Sequence, residues 1–204
     1  MKVVNVVAIF AMFTAGIASA AEVKEKGAYV GGAIGVTELD DDNLTGFVIG
    51  GFSVDKKDTG YQLWGGYKFL KWFSVEGRYS YLGEYTATAP GTVAIVKEDA
   101  AALTANAVFI LPLGGSSWEL YGQVGLGVLS YDLSATGLVG IASEDGTETV
   151  GSAGVGVRWT PAPPVTISLG FDAWSAEIDR TAKFFPADDD FSVGMTRLGV
   201  QYNF

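Results

Sequence analysis

From residue 21 onward the sequence is a run of short segments in which apolar and polar side chains alternate. No apolar run there lasts beyond about ten residues before Gly, a polar or a charged side chain breaks it. Alternation with period two marks a strand with two unlike faces. A membrane-spanning helix needs about 20 consecutive apolar residues. The chain past residue 20 is therefore either soluble or crosses lipid as a closed barrel, the other structure that satisfies every backbone group there.

Eight segments fit the strand pattern: 28–37, 61–69, 73–82, 100–111, 118–131, 149–159, 165–174 and 191–204. The connectors alternate. Those at 70–72, 112–117 and 160–164 are short; those at 38–58, 83–99, 132–148 and 175–190 are long. Short turns on the periplasmic side and longer loops outside are the signature of an outer-membrane barrel, and this count puts both termini on the periplasmic side. The expected fold is all-β, an eight-stranded antiparallel up-and-down transmembrane β-barrel. The apolar stretch within 47–54 is the architectural risk, because an extra strand pair there would make ten. Ahead of the strands, Lys2, the apolar run 3–17 and the small residues Ala18-Ser19-Ala20 read as a secretory signal cleaved after Ala20. That leaves 21–204 as the barrel domain.

Parity separates the two faces. Tyr61, Leu63, Tyr67 and Phe69 alternate with Gln62, Trp64, Gly66 and Lys68; Phe73, Val75, Tyr79 and Tyr81 alternate with Ser74, Glu76, Arg78 and Ser80. A soluble lipocalin-type barrel points its apolar face inward, whereas a membrane barrel points it outward. The polar faces here carry Gly31, Gly35, Gly66, Gly125, Gly127, Gly154, Gly156 and Gly170 beside isolated charges. That suits a narrow filled lumen better than a solvated surface. The strand-interior charges Lys68, Glu76, Arg78, Glu119, Arg158, Asp172 and Arg197 all fall on the polar face, as lipid demands, since Lys or Arg facing the bilayer midplane costs about 2–4 kcal/mol. Aromatics of the other face gather near strand ends as a lipid-facing girdle: Phe69, Phe73, Phe109, Trp159, Tyr202 and Phe204 toward the periplasm, and Tyr61, Tyr79 and Tyr81 toward the outside.

Several runs carry a family resemblance. Tyr29-Val30-Gly31-Gly32-Ala33-Ile34-Gly35 resembles the first strand of the small outer-membrane barrels related to the OmpA transmembrane domain and the opacity proteins. Gly65-Gly66-Tyr67-Lys68-Phe69 with Val75-Glu76-Gly77-Arg78-Tyr79 resembles that family's second hairpin, and Leu103-Thr104-Ala105-Asn106 its fourth strand. Leu198-Gly199-Val200-Gln201-Tyr202-Asn203-Phe204 is similar to its closing strand. The resemblance implies an outer-membrane location, a blocked lumen, and an assembly signal at Tyr202 and Phe204 read by the barrel-assembly machinery. In the OmpA barrel a charged cluster in the lumen acts as a gate. Glu76 matches its acidic member, but Asn106 and Ser168 stand where that barrel has basic residues, and Arg158 where it has an acid. The periplasmic peptidoglycan-binding domain of full-length members is not expected after Phe204.

The lumen charges read as a near-balanced ion-pair network that closes the barrel; a conductance gate is the functional alternative. Catalysis is not expected. The chain has no His and no Cys, which removes Ser–His triads, His-based water activation and thiolate chemistry. The Gly-x-Gly segments lie in strands with no helix after them, so they are not phosphate loops. No cofactor and no metal site is expected. Asp40-Asp41-Asp42, Glu144-Asp145 and Asp188-Asp189-Asp190 read as solvated acidic loops, with divalent-cation binding as the sharper alternative. A formal charge of −10 excludes nucleic acid as a partner. The expected partners are outer-membrane lipid and lipopolysaccharide, the assembly machinery during insertion, and a surface ligand that the loops do not spell out. The expected role is structural or surface-interacting, with a narrow channel for ions or small solutes as the alternative.

Overall fold

The computed structural model describes residues 26–39, 53–55, 57–88, 95–114, 117–137, 140–179 and 188–204. The strands are β1 (Gly27–Leu39), β2 (Ser53–Asp55), β3 (Lys57–Leu70), β4 (Phe73–Thr88), β5 (Ile95–Pro112), β6 (Trp118–Gly137), β7 (Gly140–Ala162), β8 (Val165–Asp179) and β9 (Asp188–Asn203). All neighbours are antiparallel. The ladder runs β4-β3-β1-β9-β8-β7-β6-β5, and a β4–β5 pairing joins its ends into a closed barrel of eight strands. β2 adds no stave. It pairs with Thr86–Thr88 at the far end of β4, continuing the line of β3 past an irregularity at Leu82. The apolar stretch after Gly46 therefore contributes this short segment through Ser53 and Val54, while Phe47 to Phe52 lie outside the described residues.

The expected staves are present, and most outgrow their expected limits chiefly at one end. At the tight-turn end Leu70 pairs with Phe73 and Ala162 with Val165, and Phe204 N–H donates to Ala28 C=O at 2.9 Å, so the start of β1 and the end of β9 lie at this end. At the other end the connectors expected as long loops are partly strand. The clearest case is 132–148, where β6 and β7 remain in register out to Gly137↔Gly140. The few apolar residues there, Leu133, Leu138, Val139 and Ile141, do not alternate regularly with the small and acidic ones, which leaves no period-two signal to mark a strand.

The outer wall carries an apolar belt. On β6 its members are Trp118, Leu120, Gly122, Val124, Leu126 and Val128, followed by Ser130 and Asp132. On β7, Trp159, Val157, Val155, Ala153 and Gly151 give way to Thr149, Thr147 and Asp145. The step from Trp118 to Val128 advances about 33 Å along the strand. A tilt of 35–45° leaves about 25 Å along the barrel axis, the height of a lipid-facing band. Leu126 is 70% exposed and Leu103 58%. Contiguous apolar surface on this scale is not tolerated in water, and the belt fixes the barrel's surroundings as lipid.

Candidate functional site

The lumen is filled by two unlike layers. Nearer the tight turns, inward side chains of six strands build a polar layer around Glu76 and Asp172. Glu76 accepts from Arg78 Nη2 at 2.6 Å, Arg158 Nη2 at 2.9 Å and Tyr29 Oη at 2.9 Å. Asp172 accepts from Arg78 Nη1 at 3.0 Å, Arg197 Nε at 2.5 Å, and the side-chain amides of Gln62 and Gln123, each at 3.0 Å. The order Arg158–Glu76–Arg78–Asp172–Arg197 is one continuous chain of ion pairs, every member at most 3% exposed. Three guanidiniums and two carboxylates leave a net charge of +1. Aromatic faces take up part of that surplus: Arg158 lies 4.5 Å from the Tyr121 ring centroid, and Arg78 and Arg197 lie 5.2 and 5.1 Å from that of Trp64. Arg197 Nη2 also donates to Tyr121 Oη at 2.9 Å.

The structure divides the seven strand-interior charges into two groups. Five form the chain just described. Lys68 and Glu119 stand apart, 3.6 Å from each other and partly exposed, toward the tight-turn mouth. Asn106 and Ser168, where the OmpA resemblance expected charges to have been lost, are buried and hydrogen-bonded. Asn106 accepts from Ser152 Oγ at 2.8 Å, and Ser168 Oγ receives Arg197 Nη1 at 3.4 Å.

Toward the long-strand end the expectation of a polar lumen is corrected. Leu39, Leu82, Tyr85, Ala100, Ala102, Leu129, Tyr131, Val150, Trp174, Ala176, Phe191, Val193 and Met195 form one buried apolar cluster. Inward positions on β6 run Tyr121, Gln123, Gly125, Gly127, Leu129, Tyr131. The same face is thus polar over part of its length and apolar beyond it. Above the belt there is no lipid to bury apolar groups against, so the sheet must bury them inside, as a water-soluble barrel does. Ser80 Oγ and Trp174 Nε1, together with Gln123 Oε1 and Arg78 Nε, are buried polar atoms with no partner among the described residues.

Sequence reasoning placed Gln62 and Trp64 on the inner face but did not single out Tyr29, Trp64 or Tyr121 as parts of the network. The missing signal is cross-strand. Tyr29 pairs with Gly66, Trp64 with Gly31, Tyr121 with Gly156, and Tyr131 with Gly146. A Cβ at Gly66 or Gly156 would fall 2.7 Å from the Tyr29 or Tyr121 ring, so each ring lies flat over the glycine facing it. Once register is known, an inward aromatic opposite a glycine identifies a filled lumen.

Outside, the aromatics expected at the belt edges fall into two groups. Phe73 lies 6.5 Å from Phe69 and 5.6 Å from Phe109, Tyr202 lies 5.2 Å from Phe204, and Trp159 stacks on Trp118 at 5.7 Å, all at the tight-turn end. Tyr67, Trp72 and Trp118 join this group although the sequence reading omitted them. Toward the other edge Tyr61 stacks on Tyr81 at 4.9 Å and lies 6.4 Å from Tyr79, and Tyr81 Oη donates to Asp99 at 2.9 Å. Of the acidic runs, Glu144-Asp145 lie on β7 and Asp188 to Asp190 on β9, while Asp40 to Asp42 lie outside the described residues.

Residues 7–204 match the model of the outer membrane protein beta-barrel domain family. No curated protein sequence matches the chain. Among solved structures, Neisserial surface protein A aligns over 89% of this chain and 100% of its own at a TM-score of 0.57 and 14% identity. The attachment invasion locus protein Ail of Yersinia pestis aligns over 89% and 100% at a TM-score of 0.55 and 21% identity. Ail has also been solved in complex with the heparin analogue sucrose octasulfate, and that structure aligns at 20% identity and a TM-score of 0.56. At these identities the likeness is one of fold.

Proposed function

This chain belongs to the outer membrane protein β-barrel family, and from that premise we propose that it is a closed, non-enzymatic barrel of the outer membrane whose work is done by the strands that project beyond the lipid. The observation that carries the reading is the double filling of the lumen: an ion-paired layer with a buried apolar layer beyond it. An eight-stranded barrel has an interior only just wide enough for side chains, and here both layers occupy it. In this reading the tight turns, the start of β1 and the end of β9 lie on the periplasmic side, and the extended ends of β4 to β7 face outward.

Among the described residues neither buried carboxylate of the lumen is free for acid–base work. Glu76 and Asp172 are each held by two guanidiniums, and the chain has no His or Cys. The sulfated ligand in the Ail structure belongs to that protein. Here the surface beyond the belt carries Glu84, Asp132 and Asp145, while Glu38 is paired with Lys57 at 3.5 Å; the acidic excess disfavours a polyanion and favours a cationic partner. Outer-membrane lipid, lipopolysaccharide and, during insertion, the assembly machinery reading Tyr202 and Phe204 remain the other partners of this reading.

The test is a planar-bilayer recording of the refolded protein. No steady conductance above the bare bilayer is expected, and a steady nanosiemens-scale pore would overturn the closed-barrel reading in favour of a narrow channel. The observation on that second side is that, among the described residues, four buried polar atoms between and within the layers have no partner.

A further inference from the structure

Beyond the belt the wall of the barrel splits. β7 stays laddered to β6 out to Gly137↔Gly140. Its other edge is laddered to β8 only as far as Val150↔Ala176. Past that rung β8 pairs with β9 alone, out to Asp179↔Asp188. Residues 140–149 of β7 therefore form an edge that no strand among the described residues covers. The edge is about 33 Å long. Every second residue along it turns both its N–H and its C=O outward, giving about five donors and five acceptors in strand spacing.

An edge of this kind templates the addition of another strand, and natural proteins normally blunt it with positive charge, proline, a bulge or a cover. Residues 140–149 hold no Pro, Lys or Arg. What they hold is acid. Glu144, Asp145 and Glu148 lie on the edge strand itself, and the whole stretch 131–157 contains no basic residue. Pairing with the same edge of a second copy would set these carboxylates against one another, and like charges directly opposite destabilise a ladder. The same charges attract an incoming strand rich in Lys or Arg.

We propose that residues 140–149 of β7 are a docking strand for an extended, Lys- or Arg-rich segment of a partner protein. The segment adds to the β4–β7 sheet through main-chain hydrogen bonds and is selected by Asp145 and Glu148 on the edge strand. This rests on the surface-interaction reading above and gives it a partner chemistry.

The experiment uses the full folded protein in detergent micelles with a ten-residue peptide of alternating Lys and Thr. Its control is the same peptide N-methylated at every residue, which keeps the charge and loses the donors. The expected result has three parts. The unmodified peptide slows amide exchange within 140–149 at least tenfold. The methylated peptide binds at least tenfold more weakly. The Asp145→Lys/Glu148→Lys variant, checked for folding by heat-modifiable gel migration, binds the unmodified peptide at least tenfold more weakly than the wild type. Equal binding of the two peptides, protection confined to other strands, or no binding would overturn the proposal. So would edge amides already slow in the free protein, whether covered by the chain itself or by a second copy. A bilayer pore would overturn the closed-barrel reading while leaving these outcomes untouched, so the two failures are distinguishable.

Discussion

Replacing Asp172 by Asn tests the polar layer most directly, because the change is nearly isosteric and removes one charge. Asp172 is 1% exposed and collects four donors: two guanidiniums and two side-chain amides. With Asn the layer goes from three cations and two anions to three cations and one, a net of +2. Arg197 then has no carboxylate within reach among the described residues, and one face of the new amide presents N–H groups to other donors. Removing one partner of a buried pair costs about 3–5 kcal/mol because a charge is left uncompensated. That is a large share of a folding stability of about 5–15 kcal/mol. With a urea slope of about 1–3 kcal/mol per molar, the unfolding midpoint should fall by roughly 1–5 M. The readout is tryptophan fluorescence against urea for the barrel refolded into lipid vesicles, with gel migration before and after heating to confirm the native state. Asp172→Asn combined with Arg197→Met should recover part of the loss, since the uncompensated cation is gone. A drop below about 1 kcal/mol, the value of an exposed pair, would refute the view that this layer is dry and tightly coupled.

Other expectations follow from the same geometry. Val124→Arg, at the middle of the outer belt of β6, should destabilise the inserted barrel by about 2–4 kcal/mol, whereas Asp132→Arg, above the belt on the same face, should stay within about 0.5 kcal/mol; vesicle refolding titrations compare them. Gly170→Ala brings its Cβ onto Tyr121 Oη, with the next neighbours at 3.1 and 3.3 Å; a loss of about 1–3 kcal/mol is expected, and Tyr121→Phe should recover part of it in the double variant. Leu129→Ala opens a hole in the apolar layer and should cost about 2–5 kcal/mol by the same titration. Glu76→Gln should leave bilayer conductance at the level of the bare membrane, because Leu82, Leu129 and Val193 still close the lumen beyond it; a stepwise pore in that variant would make the ion pairs a gate.

Much of this barrel was legible because lipid imposes a strict rule on one face. Alternation located the eight staves, since a strand between lipid and a packed interior cannot afford a charge on its outer side. Parity alone therefore put Glu76, Arg78, Arg158, Asp172 and Arg197 inside. What failed was legible for a physical reason too. Beyond Tyr131 the sequence mixes small, acidic and glycine residues with only scattered apolar ones such as Leu133 and Ile141, so the strand continuing through Asp132 to Gly137 looked like a loop. The apolar layer around Leu129, Trp174 and Val193 went unread because, taken one strand at a time, inward apolar residues near a strand end cannot be told from outward ones.

The sequence by itself determined the class of fold, the outward belt and the identity of the inward charges, because each follows from the period of one strand. Only the tertiary structure decided which charges meet, that Lys68 and Glu119 stand apart from the other five, and that Tyr29, Trp64 and Tyr121 lie over Gly66, Gly31 and Gly156. It alone decided that β7 parts from β8 at Val150. All of these are matters of register between strands and of closure around the ring, and such relations between residues far apart in the chain are absent from the pattern of any single segment.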